Sequence, residues 1–234
     1  MMLQKKLDTI LERAKATFLH QVAEKPHFIN SKAIMLISVG KEIHEGAKFS
    51  AAVELVNRSF KTCDILVCDV LQRHNMQINN FSISKNFYAE SLLAGKEWVD
   101  RNNKHFQSLK IPYNIFHWEK YLLRQEFPSL QEKILVAYEE DSSFKEAMHD
   151  TITEFVTRYA RRFDIIDEKM AFKCCFDYLV EETAIIMLMM QKDQYKYIVY
   201  PGKMPKVLSA ARDKFVVPNN LELLKWVTIY IRHR

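Results

Sequence analysis

The stretch Ala33-Ile34-Met35-Leu36-Ile37 is apolar at every position and runs into Ser38-Val39-Gly40. An amphipathic strand alternates, and an amphipathic helix leaves a polar face. A short run apolar on both alternations therefore fits a central strand of a parallel sheet covered on both sides, with Ser38 at its carboxyl end. Helical periodicity follows, with apolar residues at 49, 52, 53, 55, 56 and 60, and then a second buried run, Asp64 to Val70. Strand, helix, strand is a βαβ unit, which sets the class as α/β: a Rossmann-like domain with a mostly parallel central sheet flanked by helices. Ligands of such sheets bind at the carboxyl ends of the strands, where Ser38 stands. No G-x-G-x-x-G follows the first strand, so nothing lets the backbone approach a dinucleotide pyrophosphate.

The remaining pattern is mainly helical. Residues 1 to 25 have apolar residues at helical spacing and predict a leading surface helix closed by Pro26. A longer helix is expected over 84 to 109, carrying Lys85, Lys96, Arg101 and Lys104, then a third strand from Ile111 to Trp118. Two helical segments fill 119 to 162, punctuated by Pro128 and by an acidic turn in which Asp141 or a serine can cap the second. That segment ends in a basic cluster, Arg158, Arg161 and Arg162. A helix over Asp167 to Met190, a strand over Tyr195 to Tyr200, a helix from Val207 and a last strand within Leu221 to Ile231 complete the chain. Only four glycines among 234 residues argue against a loop-rich all-β fold, and the length suits one domain, 1–234.

The charged N-terminal residues Lys5, Lys6, Asp8 and Glu12 do not read as a targeting peptide, and the apolar run Thr183 to Met190 is too short to cross a bilayer, so a cytoplasmic protein is expected. Cys63, Cys68, Cys174 and Cys175 have no zinc spacing and read as reduced core residues. The eight histidines lack H-x-x-x-H and H-E-x-x-H, so no metal is expected. A net charge of +5 is compatible with an anionic partner such as RNA and does not by itself require one.

Four side chains carry candidate chemistry. Tyr178 and Glu182, four apart in the most apolar helix, share one face. By itself such a glutamate usually points to solvent. Ser38 and Tyr200 end two strands. A serine can be a nucleophile if its proton has somewhere to go, a phenol can relay a proton, and a carboxylate can hold an ammonium, a set suited to acyl transfer. There is no G-x-S-x-G elbow. The loop Lys203-Met204-Pro205-Lys206-Val207 is similar to the lysine-rich loop of class I aminoacyl-tRNA synthetases, but the H-I-G-H companion is absent and ATP activation is not expected.

With these residues in place the chain resembles the cyclodipeptide synthases over nearly its whole length, a family similar in fold to class Ic synthetase catalytic domains. The G-x-S strand end is carried by Leu36-Ile37-Ser38, and Y-[LVI]-x-x-E-x-[PA] by Tyr178-Leu179-Val180-Glu181-Glu182-Thr183-Ala184. The acidic turn Tyr138 to Phe144 also has its counterpart. The resemblance implies an aminoacyltransferase that takes two aminoacyl-tRNAs to a cyclic dipeptide by a ping-pong route through an aminoacyl-Ser38 enzyme, with no cofactor and as a monomer. It also implies catalytic roles for Ser38, Tyr178, Glu182 and Tyr200, and a substrate pocket using Ile34, Leu36, Leu66, Lys41 and Pro201. Lys85, Lys96, Arg101 and Lys104 would meet tRNA.

Lys41, Tyr200 and Pro201 place the chain in the branch with a variable residue, Tyr and Pro. Leu36 replaces the usual glycine and shares a strand face with Ser38, which implies a small first residue such as alanine; the cationic surplus points to an acidic second one. Two alternatives stand beside this reading. One is a non-catalytic tRNA-binding module with a synthetase-like fold. The other is a serine acyltransferase or esterase with a small-molecule donor, for which His44 is the nearby histidine.

Overall fold

The computed structural model describes residues 14–19, 28–78, 80, 85–161, 163–165, 167–193, 195–219 and 225–233. Its strands are β1 (Ala14–Phe18), β2 (Lys32–Ile37), β3 (Thr62–Val67), β4 (Ile115–His117), β5 (Tyr197–Tyr200) and β6 (Lys225–His233). The helices are α1 (Gly46–Asn57), α2 (Arg73–Gln77), α3 (Phe87–Phe106), α4 (Glu119–Leu122), α5 (Phe127–Glu140), α6 (Ser142–Ala160), α7 (Glu168–Lys192) and α8 (Lys206–Phe215). The strands form one sheet in the order β1-β6-β5-β2-β3-β4, parallel throughout except for β1 against β6.

This order places the site. From β2 the chain steps outward through α1 to β3 and on to β4; from β5 it steps the opposite way through α8 to β6. The direction reverses between β2 and β5, which pair directly, Ala33 beside Tyr197 and Met35 beside Val199. Diverging connections leave a crevice above that pair, the usual ligand position in open α/β sheets. Ser38 follows β2, and Tyr200 ends β5.

The alternation of each strand divides the core into two layers. Ala33, Met35, Ile37, Ile65 and Val67 pack with Phe49 of α1 and Trp98 and Phe106 of α3. Ile34, Leu36, Leu66 and Ile198 face the other way, toward α7 and its neighbours. The 25 residues of α7 extend about 37 Å. Asp167 caps its start by accepting from the Met170 N–H, and Thr183 to Met190 are buried on every side, as in a helix enclosed by other elements. Asp141 caps α6 through the Ser143 and Phe144 amides, and Pro128 sits in the first turn of α5, where its missing N–H costs nothing. On α3 the buried stripe is Phe87, Ser91, Gly95, Trp98, Asn102 and Phe106. A Cβ on Gly95 would lie 2.3 Å from an Asp69 carboxylate oxygen, so only glycine allows this approach.

Two expectations need correction. The leading helix does not cover 14–18, which is β1, pairing Ala16 with Ile231 and Phe18 with Ile229 of β6. Ala14 and Phe18 are four apart, a spacing that satisfies a helical stripe and an alternating strand alike, and only the partner strand decides. The rest of that expected helix, residues 1–13 and 20–25, lies outside the described residues, as do Arg162 and the start of the expected last strand. The third strand shrinks to three residues, β4: the ladder with β3 is registered from Ile115 to His117, while Pro112 and Asn114 before it still accept from the Cys63 and Ile65 amides of β3. The four cysteines are free and buried. Among the described residues no helix is long and apolar enough to cross a membrane.

Candidate active site

Beyond β2 the chain turns sharply: Gly40 takes φ +84°, the Lys41 N–H reaches the Ser38 carbonyl at 3.3 Å, and the turn Glu42–His44 follows. A left-handed φ of this kind suits glycine. The turn brings His44 back beneath the serine, whose backbone N–H donates to His44 Nδ1 at 3.0 Å. Trp98 of α3 donates to the His44 carbonyl at 3.0 Å. Burial lowers the His44 pKa to about 4, so the ring is neutral, and its Nδ1 also lies 3.1 Å from the Ser38 carbonyl oxygen. His44 thus holds the serine's backbone and is not hydrogen-bonded to its hydroxyl.

Across the crevice, Ser38 Oγ lies 3.0 Å from the Tyr200 hydroxyl. Lys41 Nζ donates to the same phenolic oxygen at 2.8 Å. The Tyr200 ring packs on Trp226 at 5.6 Å between centroids, and Trp226 donates to the Gly202 carbonyl at 2.8 Å. Serine, phenol and ammonium therefore form a chain over the reversal point of the sheet.

The face of α7 that meets this chain carries Tyr178 and Glu182. The Tyr178 hydroxyl is 3.5 Å from Glu182 Oε1, and both side chains are partly buried. Burial raises the Glu182 pKa to about 7, against the opposing pull of Lys41 and of the Tyr178 hydroxyl. Burial also raises Tyr178 well above its ordinary value, reinforced by the Glu182 and Tyr200 charges. These couplings bring α7 within electrostatic reach of Lys41 and Tyr200. Glu182 is half-buried and does not point to open solvent as an isolated glutamate would, because this part of α7 is enclosed by other elements.

Of the other anticipated residues, Ile34, Leu36 and Leu66 are buried on the same sheet face as Ser38, below it, and Pro201 directly follows Tyr200. Lys96 and Lys104 are exposed along α3, and Lys85 is exposed just before its start. Arg101 is exposed too, with its guanidinium 2.6 Å from Glu45.

Sequence reasoning passed over Glu181. It is buried, and receives the Arg73 guanidinium on both oxygens, Trp118 Nε1 at 2.8 Å and His74 Nε2 at 3.3 Å. Burial pushes its pKa up, and the His74 and Arg73 hydrogen bonds outweigh it and bring the carboxyl below its ordinary value. A signal was available: Cys174, Glu181, Ile185 and Leu188 recur at helical spacing, so Glu181 stands on the apolar stripe. Asp69, fully buried, was passed over as well; it binds the Val70 and Trp118 amides and His117 Nδ1 at 2.5 Å.

The sheet order and this crevice define a synthetase-like, Rossmann-type α/β fold. The solved structure of a CDPS from Fluoribacter dumoffii is 33% identical with a TM-score of 0.89, covering 95% of this chain and 100% of that one. The chain belongs to the cyclodipeptide synthase family, and is a tRNA-dependent aminoacyltransferase. A cyclodipeptide synthase from Candidatus Glomeribacter gigasporarum bound to Phe-tRNAPhe shares the fold at 18% identity and TM-score 0.71, covering 91% and 93%. A Mycobacterium tuberculosis protein whose structure relates cyclodipeptide synthetases to type I tRNA synthetases does so at 10% and 0.66, covering 97% and 96%. No family model and no curated protein matches the sequence.

Proposed function

We propose that this chain, working as a single catalytic domain and as a cytoplasmic monomer, joins two aminoacyl-tRNAs into a cyclic dipeptide by a ping-pong route through an aminoacyl-Ser38 enzyme. The observation that carries the reading is the 3.0 Å contact between Ser38 Oγ and the Tyr200 hydroxyl at the point where the sheet reverses, faced by Tyr178 and Glu182. The tRNA ester is already activated, so the reaction needs no cofactor. Ser38 takes the first aminoacyl group, Tyr178 and Glu182 hold its α-ammonium, and Tyr200 serves the reacting centre. The second aminoacyl-tRNA supplies an amine, and the dipeptidyl-enzyme cyclises. Lys85, Lys96, Arg101 and Lys104 on and beside α3 suit contact with the tRNA backbone. Lys41, Tyr200 and Pro201 support membership of the branch with a variable residue, Tyr and Pro. Expression in a bacterial host with mass spectrometry of the medium tests the reading: diketopiperazines are expected, together with an aminoacyl adduct trapped on Ser38. Absence of both with charged tRNA supplied would end it.

The ammonium role makes Glu182 useful only when ionised. With its carboxyl near 7, kcat/KM should rise with pH through about 7 and level off above it. Stability runs the other way. The folded-state value lies above the ordinary 4.5, so the folded chain holds this proton more tightly. That contribution is complete below 4.5 and lost as pH rises through about 7. Glu182→Gln should therefore cut product formation while unfolding at higher urea than wild type at pH 8, with a smaller difference at pH 5. An equal difference at both pH values would contradict the assignment.

Leu36, 3% exposed, fills the space below Ser38 together with Ile34 and Leu66. An isobutyl group there leaves room for a small first side chain, since overfilling a packed pocket costs roughly 1–3 kcal/mol. Leu36→Gly should shift the diketopiperazine profile toward larger first residues. An unchanged profile by mass spectrometry would count against this pocket floor.

A further inference from the structure

We propose that Lys41 is the positioning residue of the Ser38–Tyr200 pair: its ammonium fixes the direction of the Tyr200 hydroxyl and stabilises the phenolic oxygen while it receives the serine proton. The inference rests on the reading of Ser38 as the acyl carrier and goes beyond it by naming what drives the serine's deprotonation.

Three observations lead there. First, the usual partner of a nucleophilic serine is engaged elsewhere. His44 Nδ1 sits against the Ser38 backbone, 3.0 Å from its N–H and 3.1 Å from its carbonyl oxygen, and no hydrogen bond joins its ring to Oγ. Among the described residues Tyr200 is the side chain hydrogen-bonded to Oγ. Second, a phenol alone is a poor proton acceptor near neutral pH, because its conjugate base forms only near pH 10. A donor held against that oxygen steadies the charge that passes through it during the transfer. Third, an ammonium has donors and no acceptor, so the 2.8 Å contact between Lys41 Nζ and the Tyr200 oxygen has one possible direction. It occupies one lone pair and leaves the other for the serine proton, with Tyr200's own hydrogen free to swing to the substrate.

The local backbone places the ammonium there. The left-handed Gly40 reverses the chain, the Lys41 N–H returns to the Ser38 carbonyl, and the Lys41 carbonyl receives the His44 N–H at 2.9 Å. Lys41 is thus fixed in a turn that begins at the nucleophile and reaches over β5. Its side chain is exposed in the free chain. A tRNA acceptor end delivering an ester to Ser38 has to cover this turn, expelling water and strengthening the ammonium's effect.

The transfer step balances without a further base. Ser38 Oγ bonds to the ester carbonyl carbon, and the bond from that carbon to the ribose oxygen breaks. The serine proton passes to the Tyr200 oxygen as the tyrosine's original proton passes to the departing ribose oxygen. Tyr200 ends neutral, and Lys41 keeps its charge throughout.

The test compares wild type with Lys41→Met, of similar length and uncharged, and Lys41→Arg, which keeps the charge. Each is mixed with a total tRNA pool charged with all twenty amino acids, and aminoacyl-Ser38 is followed in a single turnover by intact-protein mass over a range of tRNA concentration. For Lys41→Met the plateau rate should fall by about 10²- to 10³-fold, the size of one well-placed electrostatic contact, with the half-saturating concentration changed less than about threefold. Lys41→Arg should recover at least about tenfold of that loss. A wild-type plateau with weakened half-saturation would make Lys41 a tRNA contact and overturn the proposal, as would an arginine variant no faster than the methionine one. If wild type makes product with no adduct on Ser38, the acyl-serine reading itself fails, an outcome separate from either.

Discussion

Ser38→Ala is expected to abolish cyclic dipeptide formation, with product in the culture medium falling by at least about 10³-fold, the usual cost of deleting a covalent nucleophile. The change should leave the fold intact. Oγ makes one hydrogen bond, to Tyr200, whose oxygen keeps its contact with Lys41, and an alanine methyl group fits where the serine side chain was. The backbone N–H that binds His44 Nδ1 is present in either residue. Melting temperature and tRNA binding should therefore match wild type while turnover disappears. This combination separates the enzyme from a tRNA-binding module of the same fold, in which position 38 would be silent. Undiminished product from the alanine variant would remove Ser38 from the chemistry.

Glu181→Ala is expected to lower stability more than any surface change. The carboxylate is 3% exposed and is the shared acceptor for Arg73, His74 and Trp118. Removing one partner from a buried ion pair strands the other, at a cost of about 3–5 kcal/mol. At about 2–4 °C per kcal/mol for a domain of this size, the melting temperature should drop by about 10 °C. Glu181→Gln keeps an acceptor for the Trp118 indole and should lose less. A melting temperature within about 2 °C of wild type would show that the cluster contributes nothing.

What was legible in the sequence follows from how each element is stabilised. β2, α1 and β3 were readable because both faces of the sheet are covered, which forces Ala33 to Ile37 to be apolar without alternation. Ser38 and Tyr200 were readable as strand ends, and Tyr178 and Glu182 as a helical pair. β1 was hidden because an edge strand depends on its partner, and Ala14 and Phe18 fit two periods at once. β4 was overextended because an aromatic run looks like a strand whether or not a neighbour is there to pair with it. His44 looked ordinary because its contact with the serine is to backbone, created by the φ of Gly40 and invisible in residue spacing. Glu181 was eclipsed by its neighbour: adjacent helical residues point about 100° apart, so one carboxylate faces the crevice and the next turns inward to Arg73.

Ile34, Leu36 and Leu66 belong to the same continuous layer as α7. With the pocket floor proposed above, any diversification of the first amino acid would be carved out of the fold's own interior. Widening the floor by Leu36→Gly removes a buried side chain, a class of change that costs about 2–5 kcal/mol when taken to alanine. Descendants of this chain that accept bulkier residues through that floor would need compensating stabilisation elsewhere before the new preference could persist, so substrate choice would evolve slowly and in company.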